Sequence, residues 1–180
     1  MSFSIQFLTK DNVSDYADLR LKSYQDDPYA FSESYEDEKL KPISDFEAEL
    51  ILQGDPPEQY MLGAYDDQDN LVGFVKFRRD RRSKARHKSM IHAMYVDPSV
   101  RSHGVGKLLV DKVIELALAQ SGLEQIHLWV LHSEKSKSAA AFYRRCGFVS
   151  QGPKVNQDLK VGDTYIDAEY MVYYISRKED

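Results

Sequence analysis

Tyr95-Val96-Asp97-Pro98-Ser99-Val100-Arg101-Ser102-His103-Gly104-Val105-Gly106-Lys107 decides how this chain folds. It reads as the end of a buried strand, a short turn, a loop with two glycines, and the start of an amphipathic helix. Such a loop leaves several N–H groups free at the positive end of a helix dipole, a ready site for a phosphate or pyrophosphate. Glycine lets the backbone approach a ligand closely and take positive φ without strain. An ordinary tight turn accounts for the two glycines equally well. Two familiar nucleotide motifs fail on spacing. Leu109 stands at the third glycine of a dinucleotide fingerprint, and Leu108 stands where a P-loop needs Ser or Thr.

Working outward, Phe3 to Leu8 alternates as an opening strand. Asn12 to Tyr24 carries a helical stripe of Val13, Tyr16, Ala17, Leu19, Leu21 and Tyr24, with Thr9 or Asp11 as caps, and Pro28 ends it. A second helix is expected from about Pro42 through Phe46 and Ile51 to Gly54. Three antiparallel strands follow, Gln59 to Tyr65, Leu71 to Arg78 and Lys88 to Val96. Gly104 to Ser121 is the strongest helix, with Val105, Leu108, Leu109, Val113, Leu116 and Ala117 on one face and Gly122 stopping it. Gln125 to Leu131 reads as a buried strand, Ser138 to Cys146 as a short helix, Phe148 to Ser150 as the start of a strand, and Tyr165 to Ile175 as the closing one. The order β-α-α-β-β-β-α-β-α-β-β makes an α/β protein (an α+β mixed sheet) with helices on its faces.

A length of 180 residues suits a single domain with its own core. The net charge of -5 argues against a general nucleic-acid binder. One cysteine, Cys146, forms no internal disulfide and fits a reducing cytoplasm. No basic start with a long apolar run marks a signal peptide, and no stretch is apolar enough for a membrane span. The five histidines show no metal-ligand spacing, so no catalytic metal is expected. Cys146 precedes Gly147 with no evident base nearby and reads as a packed thiol rather than a nucleophile.

Three segments in this order resemble the GNAT superfamily of N-acetyltransferases. Arg101-Ser102-His103-Gly104-Val105-Gly106 resembles its (Arg/Gln)-x-x-Gly-x-(Gly/Ala) acetyl-CoA loop. Ala139-Ala140-Ala141-Phe142-Tyr143-Arg144-Arg145-Cys146-Gly147-Phe148 resembles its second signature, and Asp167-Ala168-Glu169-Tyr170-Met171 its last strand. The likeness runs from about Leu71 to Ile175. It implies a GNAT-like acyl-CoA N-acyltransferase fold, a central, mostly antiparallel sheet with helices on both faces. Residues 1–180 would form one domain: 1–58 the opening strand and acceptor-side helices, 59–131 the core with the acetyl-CoA loop, and 132–180 the signature helix and closing strands.

The resemblance also implies where acetyl-CoA, the expected co-substrate, would lie. Amides from Arg101, Ser102, His103, Gly104, Val105, Gly106 and Lys107 would cradle its pyrophosphate. Its pantetheine arm would pair with the backbone of Met94, Tyr95 and Val96, in the manner of an added strand. Tyr143 aligns with the tyrosine placed beside the thioester sulfur, as general acid or hydrogen-bond donor. A backbone N–H near Val96 would hold an oxyanion. Ser136 stands where the signature usually has an asparagine that contacts coenzyme A, and a hydroxyl replaces only part of that amide's bonding. His92 takes the place in the fourth strand where a carboxylate often serves as base. A thiol and a primary amine have pKa values near about 8.5 and about 10.4, so proton management is the chemical problem.

The expected activity is transfer of an acetyl group to a primary amine by direct attack in a ternary complex. The acceptor would be a small, polyamine-like or peptide amine, and a homodimer is compatible with the family. The alternative is a non-catalytic acyl-CoA-binding module. Asp27-Pro28-Tyr29-Ala30-Phe31-Ser32-Glu33-Ser34 resembles a segment of one bacterial-type group, and Asp26, Asp27, Glu33, Glu36, Asp37 and Glu38 make the region acidic. That charge reads either as an amine-attracting wall or as a solvated helix face. Eight Lys and Arg lie between Lys76 and Lys88. They read as a charged hairpin tip, with nucleic-acid binding as the competing and less expected use.

Overall fold

The structure is a computed structural model and describes residues 2–132 and 137–175. Eight strands form one sheet: β1 (Ser4–Phe7), β2 (Gln59–Tyr65), β3 (Leu71–Arg79), β4 (Lys88–Val96), β5 (Gln125–His132), β6 (Val149–Ser150), β7 (Val155–Val161) and β8 (Thr164–Tyr174). Their spatial order is β1-β2-β3-β4-β5-β8-β6, with β7 pairing the first half of β8. Every pair is antiparallel except β4 with β5. The helices are α1 (Val13–Asp26), α2 (Tyr35–Glu38), α3 (Ile43–Glu49), α4 (Val105–Leu118) and α5 (Lys137–Arg145).

Two cores sit on opposite faces of the sheet. On one, Tyr16, Leu19 and Tyr24 of α1 pack with Phe46 of α3 against Met61, Phe74, Ala93 and Tyr95. On the other, Val105, Leu109, Val113 and Ala117 of α4 and Ala140 of α5 cover Leu62, Val75, Phe77, Ile91, Ile126 and Leu128. The spacing of these helical residues by three or four is what keeps each set on one face. Leu108, expected in the α4 stripe, is 41% exposed, because it falls on the far side of Val105 from Leu109.

Other departures from the expectations are local. A 3-10 turn over Lys10–Asn12 precedes α1, and the Thr9 N–H donates to Asn12 Oδ1 at 2.9 Å, so Asn12 organises this corner. The helix expected from Pro42 to Gly54 is only α3, because Leu50 leaves helical geometry and Gly54 follows with φ 93°. The α4 helix stops at Leu118, before Gly122, which takes φ 72° in the turn toward β5. Two elements are additional: the single turn α2, capped by Ser34 accepting from the Asp37 N–H at 3.1 Å, and the strand β7. Among the described residues no helix is long and apolar enough to cross a membrane, and no group of three His, Cys, Asp or Glu is arranged to hold a metal ion.

Candidate functional site

The sheet opens between β4 and β5. The two strands pair only at Lys88–Met90 with Gln125–His127, and beyond Met90 they diverge. A bulge is the local cause. Phe77 faces Ile91 and Lys76 faces Ala93, so His92 is an extra residue with no partner on β3. An extra residue bends its strand and adds twist. It also exchanges the faces of the residues beyond it: Ile91 lies in the α4 core, whereas Ala93 and Tyr95 lie in the α1 core. β5 runs beside β8 instead, in register from Gln125–Tyr174 to His132–Asp167.

The glycine loop lies at the end of the opened strand. Asp97 accepts from the Ser99 N–H at 2.9 Å and Ser99 Oγ at 2.7 Å, and it pairs with Lys22 of α1. Tyr95 reaches Asp26 through its hydroxyl, so α1 is tied twice to this strand end. Ser102 and Gly104 then take left-handed φ of 68° and 85°. The first backbone bond into α4 runs from the Leu108 N–H to the Gly104 C=O at 3.1 Å. The amides of Gly104, Val105, Gly106 and Lys107 therefore have no carbonyl partner among the described residues, as a helix start requires of its first turn. Space beside Gly104 is open, with nothing within 4 Å of where a Cβ would sit. These features fit an anionic phosphate group. Gly106 has a different reason for lacking a side chain: a Cβ there would come within 3.2 Å of Met94 Cε and 3.3 Å of Phe142 Cζ.

Three side chains of the loop are engaged within the protein. Arg101 Nε donates to the Val96 C=O at 2.9 Å, the carbonyl expected to meet a pantetheine arm. Lys107 pairs with Asp111 one turn along α4. His103 keeps its ring beside its own loop, with Nδ1 3.0 Å from the Arg101 carbonyl.

Tyr143 comes to the same opening from α5. Its hydroxyl donates to Met94 Sδ at 3.4 Å, and its ring packs edge-on with Phe142 and Phe148 at 5.1 and 5.5 Å. Burial pushes the phenol well above its ordinary pKa, so it stays protonated and able to donate. Met94 thus touches both Tyr143 and the α4 start. Ser136 lies outside the described residues. Cys146 is half-buried against the α4 core, where burial raises its thiol pKa and so disfavours the thiolate.

His92 belongs to the opposite side of β4. Two cavities, of about 550 and about 500 Å³, meet there and share Arg78, Met90 and His92 as lining. The larger also takes in Phe31, Glu49, Lys76 and Trp129. Removal from water lowers the His92 pKa to about 4, helped by the cations Arg78 and Lys76. The lowered pKa favours the neutral ring at pH 7, although the residue is exposed at the surface. Glu49 accepts from the Tyr16 hydroxyl at 3.0 Å and from Lys76 at 2.8 Å, and these contacts hold its carboxyl below the usual range despite partial burial.

A family model described as Acetyltransferase (GNAT) family matches residues 17–148, well over half of the chain. The chain belongs to that family. An uncharacterized N-acetyltransferase of Methanocaldococcus jannaschii is 29% identical over 149 residues, covering 82% of this chain and 61% of its own length. The chain thus spans about three fifths of that relative. A GNAT-family acetyltransferase from Streptococcus pneumoniae superposes with a TM-score of 0.80 at 21% identity, over 97% of this chain and 100% of that one. A Salmonella typhimurium structure described as holding its cofactor acetyl-CoA reaches 0.75 at 14% identity, over 100% and 98%. At these identities the structures share the fold.

Within this GNAT chain the residues singled out from sequence fall into two groups. Met94, Val96, Tyr143 and the loop from Arg101 to Lys107 gather along the opened strand and at its end. His92 and Tyr143 sit on opposite sides of β4. The acids near Asp27 are largely engaged within the protein: Glu38 is buried on Arg20 and Lys41, Glu36 pairs with Lys39, Asp26 holds Tyr95, Asp27 accepts from the Tyr29 N–H and Asp37 bonds Ser34, while Glu33 lines the cavity. Sequence reading missed Arg20, whose guanidinium lies 4.8 Å above Tyr24 and 4.9 Å above Phe31 and fixes the segment after Pro28 against α1. It also missed Glu49, Lys76 and Trp129, which carry no local signal and meet only through the fold.

Proposed function

We propose that this protein transfers the acetyl group of acetyl-CoA to a primary amine by direct attack within a ternary complex. The observation that carries this reading is the meeting of three features at one opening: the unpaired outer edge of β4 beyond Met90, the free amides at the start of α4, and the Tyr143 hydroxyl at Met94. Acetyl-CoA as substrate supplies an activated thioester. The amides of Gly104 to Lys107 would bind its pyrophosphate at the helix N-terminus. The edge of β4 from Met94 to Val96 would bind the pantetheine arm, with Arg101 releasing the Val96 carbonyl as the arm enters.

Tyr143 would donate its proton or a hydrogen bond to the departing sulfur, for which a phenol kept neutral by burial is suited. His92, neutral and facing the acceptor cavities, would accept the amine's proton directly or through a water. Tyr143→Phe tests the reading. Turnover measured by thiol release should fall at least about tenfold, with acetyl-CoA affinity within about twofold of wild type. Unchanged turnover would remove Tyr143 from the mechanism, and tight acetyl-CoA binding without transfer to any amine would favour a binding module.

A further inference from the structure

The charge in the smaller of the two cavities beside His92 is predominantly positive. Of the eight Lys and Arg between Lys76 and Lys88, four have acid partners: Lys76 on Glu49, Arg79 and Arg86 both on Glu58, and Arg82 on Asp80. Arg78, Arg81, Lys84 and Lys88 make no close ion pair among the described residues, although Asp80 and Glu58 feel the charges of Arg78 and Arg81 from further away. Arg78, Arg81 and Lys88 line the cavity of about 500 Å³ together with His92, whereas Lys84 does not. The only carboxylate in that lining is Asp80, already held by Arg82. The hairpin tip is thus not uniformly charged for solubility: three of its four cations without a close ion pair line the cavity that also holds His92.

Such a wall repels a free ammonium ion and favours a ligand bringing its own negative charge. Guanidinium groups bind carboxylates through two parallel N–H bonds, a geometry lysine alone does not offer. We propose that Arg78, Arg81 and Lys88 form an anion subsite beside His92, and that the acceptor is a primary amine that also carries a carboxylate. The proposal rests on the acetyl-transfer reading of the same site. The amine is presented at His92 and the carboxylate is held toward Arg78, which lies one strand away, opposite Met90. The joined cavities have the size of a site for an amino acid or the first residues of a peptide.

The test compares matched acceptors by thiol release from acetyl-CoA. Free L-methionine, L-phenylalanine and L-glutamate are set against their α-amides, and tetrapeptides with Asp or Glu at the second position against those with Asn or Gln. The wild-type protein should prefer the acid of one series by about tenfold or more in kcat/KM, and the series that shows it separates a free amino acid from an acidic peptide. Arg78→Ala should collapse that ratio to within about twofold through KM, Arg78→Lys should retain part of it, and Lys84→Ala should leave it intact. Equal rates on acids and amides, or a ratio that survives Arg78→Ala, would overturn the subsite. A second arm needs no turnover: calorimetric binding of N-acetyl-L-glutamate and N-acetyl-L-phenylalanine, and of their α-amides, to the coenzyme A-loaded protein. Carboxylate-dependent binding that Arg78→Ala abolishes supports the subsite even where no amine is acetylated, in which case the transfer reading is what fails. Where no amine is acetylated, absence of carboxylate-dependent binding in this second arm overturns the subsite.

Discussion

Replacing Gly104 by alanine separates the conformational role of the glycine loop from its binding role. Gly104 has φ 85°, and nothing lies within 4 Å of the position a Cβ would take. The folded protein therefore suffers no collision, only the cost of a left-handed alanine, about 1–2 kcal/mol. For a chain of this size that is roughly 2–8 °C in Tm. The strain is present with and without ligand, so it cancels from the binding equilibrium. Any change in affinity must come from the methyl group meeting something that occupies the open space or from amides it turns aside. Loss of one or two hydrogen bonds to a charged phosphate, at about 1.5–3 kcal/mol each, weakens acetyl-CoA binding by at least about tenfold.

Gly162 supplies the control. It has φ 59° in the turn between β7 and β8, with nothing within 4 Å of its Cβ position. Gly162→Ala should lower Tm by a similar amount and leave acetyl-CoA affinity within about twofold, measured by calorimetry beside thermal unfolding. Should Gly104→Ala lose stability and yet bind acetyl-CoA as tightly as wild type, the cradle is misassigned. If both variants lose affinity equally, the effect is global and the loop has no special part in it.

The histidines give two more expected outcomes. Because desolvation and the cations Arg78 and Lys76 lower the His92 pKa to about 4, kcat/KM should show no limb near pH 6.5 belonging to this ring, and His92→Gln should lower kcat by about 10²-fold across pH 6–9. A limb near 6.5 that vanishes in the variant would contradict the neutral ring. His127 is buried, with Nε2 2.8 Å from Gln125 Oε1 and Nδ1 against the Tyr170 hydroxyl, and burial lowers its pKa to about 4. A histidine pKa depressed on folding gives stability that is complete above about 6.5 and is lost as the pH falls toward about 4, here up to about 3 kcal/mol. Denaturant midpoints from pH 7 to pH 4 should therefore fall less steeply in His127→Gln, and an unchanged slope would refute the assignment.

Local repetition is what made parts of this fold legible in the sequence. The β4–loop–α4 passage reads correctly because its pattern changes from alternation to a spacing of three and four between Tyr95 and Leu109. Tyr143 was singled out through the resemblance carried by the residues around it, from Ala139 to Phe148. β7 was not legible: every residue from Val155 to Asp158 is exposed, Gln157 has φ 55°, and the strand exists only through its pairing with β8. Nor was the fate of the acidic segment, since Arg20 and Tyr95, which engage Glu38 and Asp26, come from elsewhere in the chain.

The extra residue in β4 explains why the candidate site has two sides. Had β4 run regularly, Ile91 and Ala93 would share a face, and the alternation from Met90 to Val96 would read without a break. With His92 unpaired, the strand changes face once: Ile91 packs under α4 before the break, Ala93 and Tyr95 pack on α1 after it, and Met94 turns to meet Tyr143. The same bend leads the strand away from β5 just after Met90, which frees the edge that a pantetheine arm would need. It also leaves His92 among the cations of β3 instead of in the sheet's ladder. Position in sequence alone, four residues before Val96, could suggest a base but could not reveal that this residue is also the hinge of the opening, because a bulge is a property of two strands and their register.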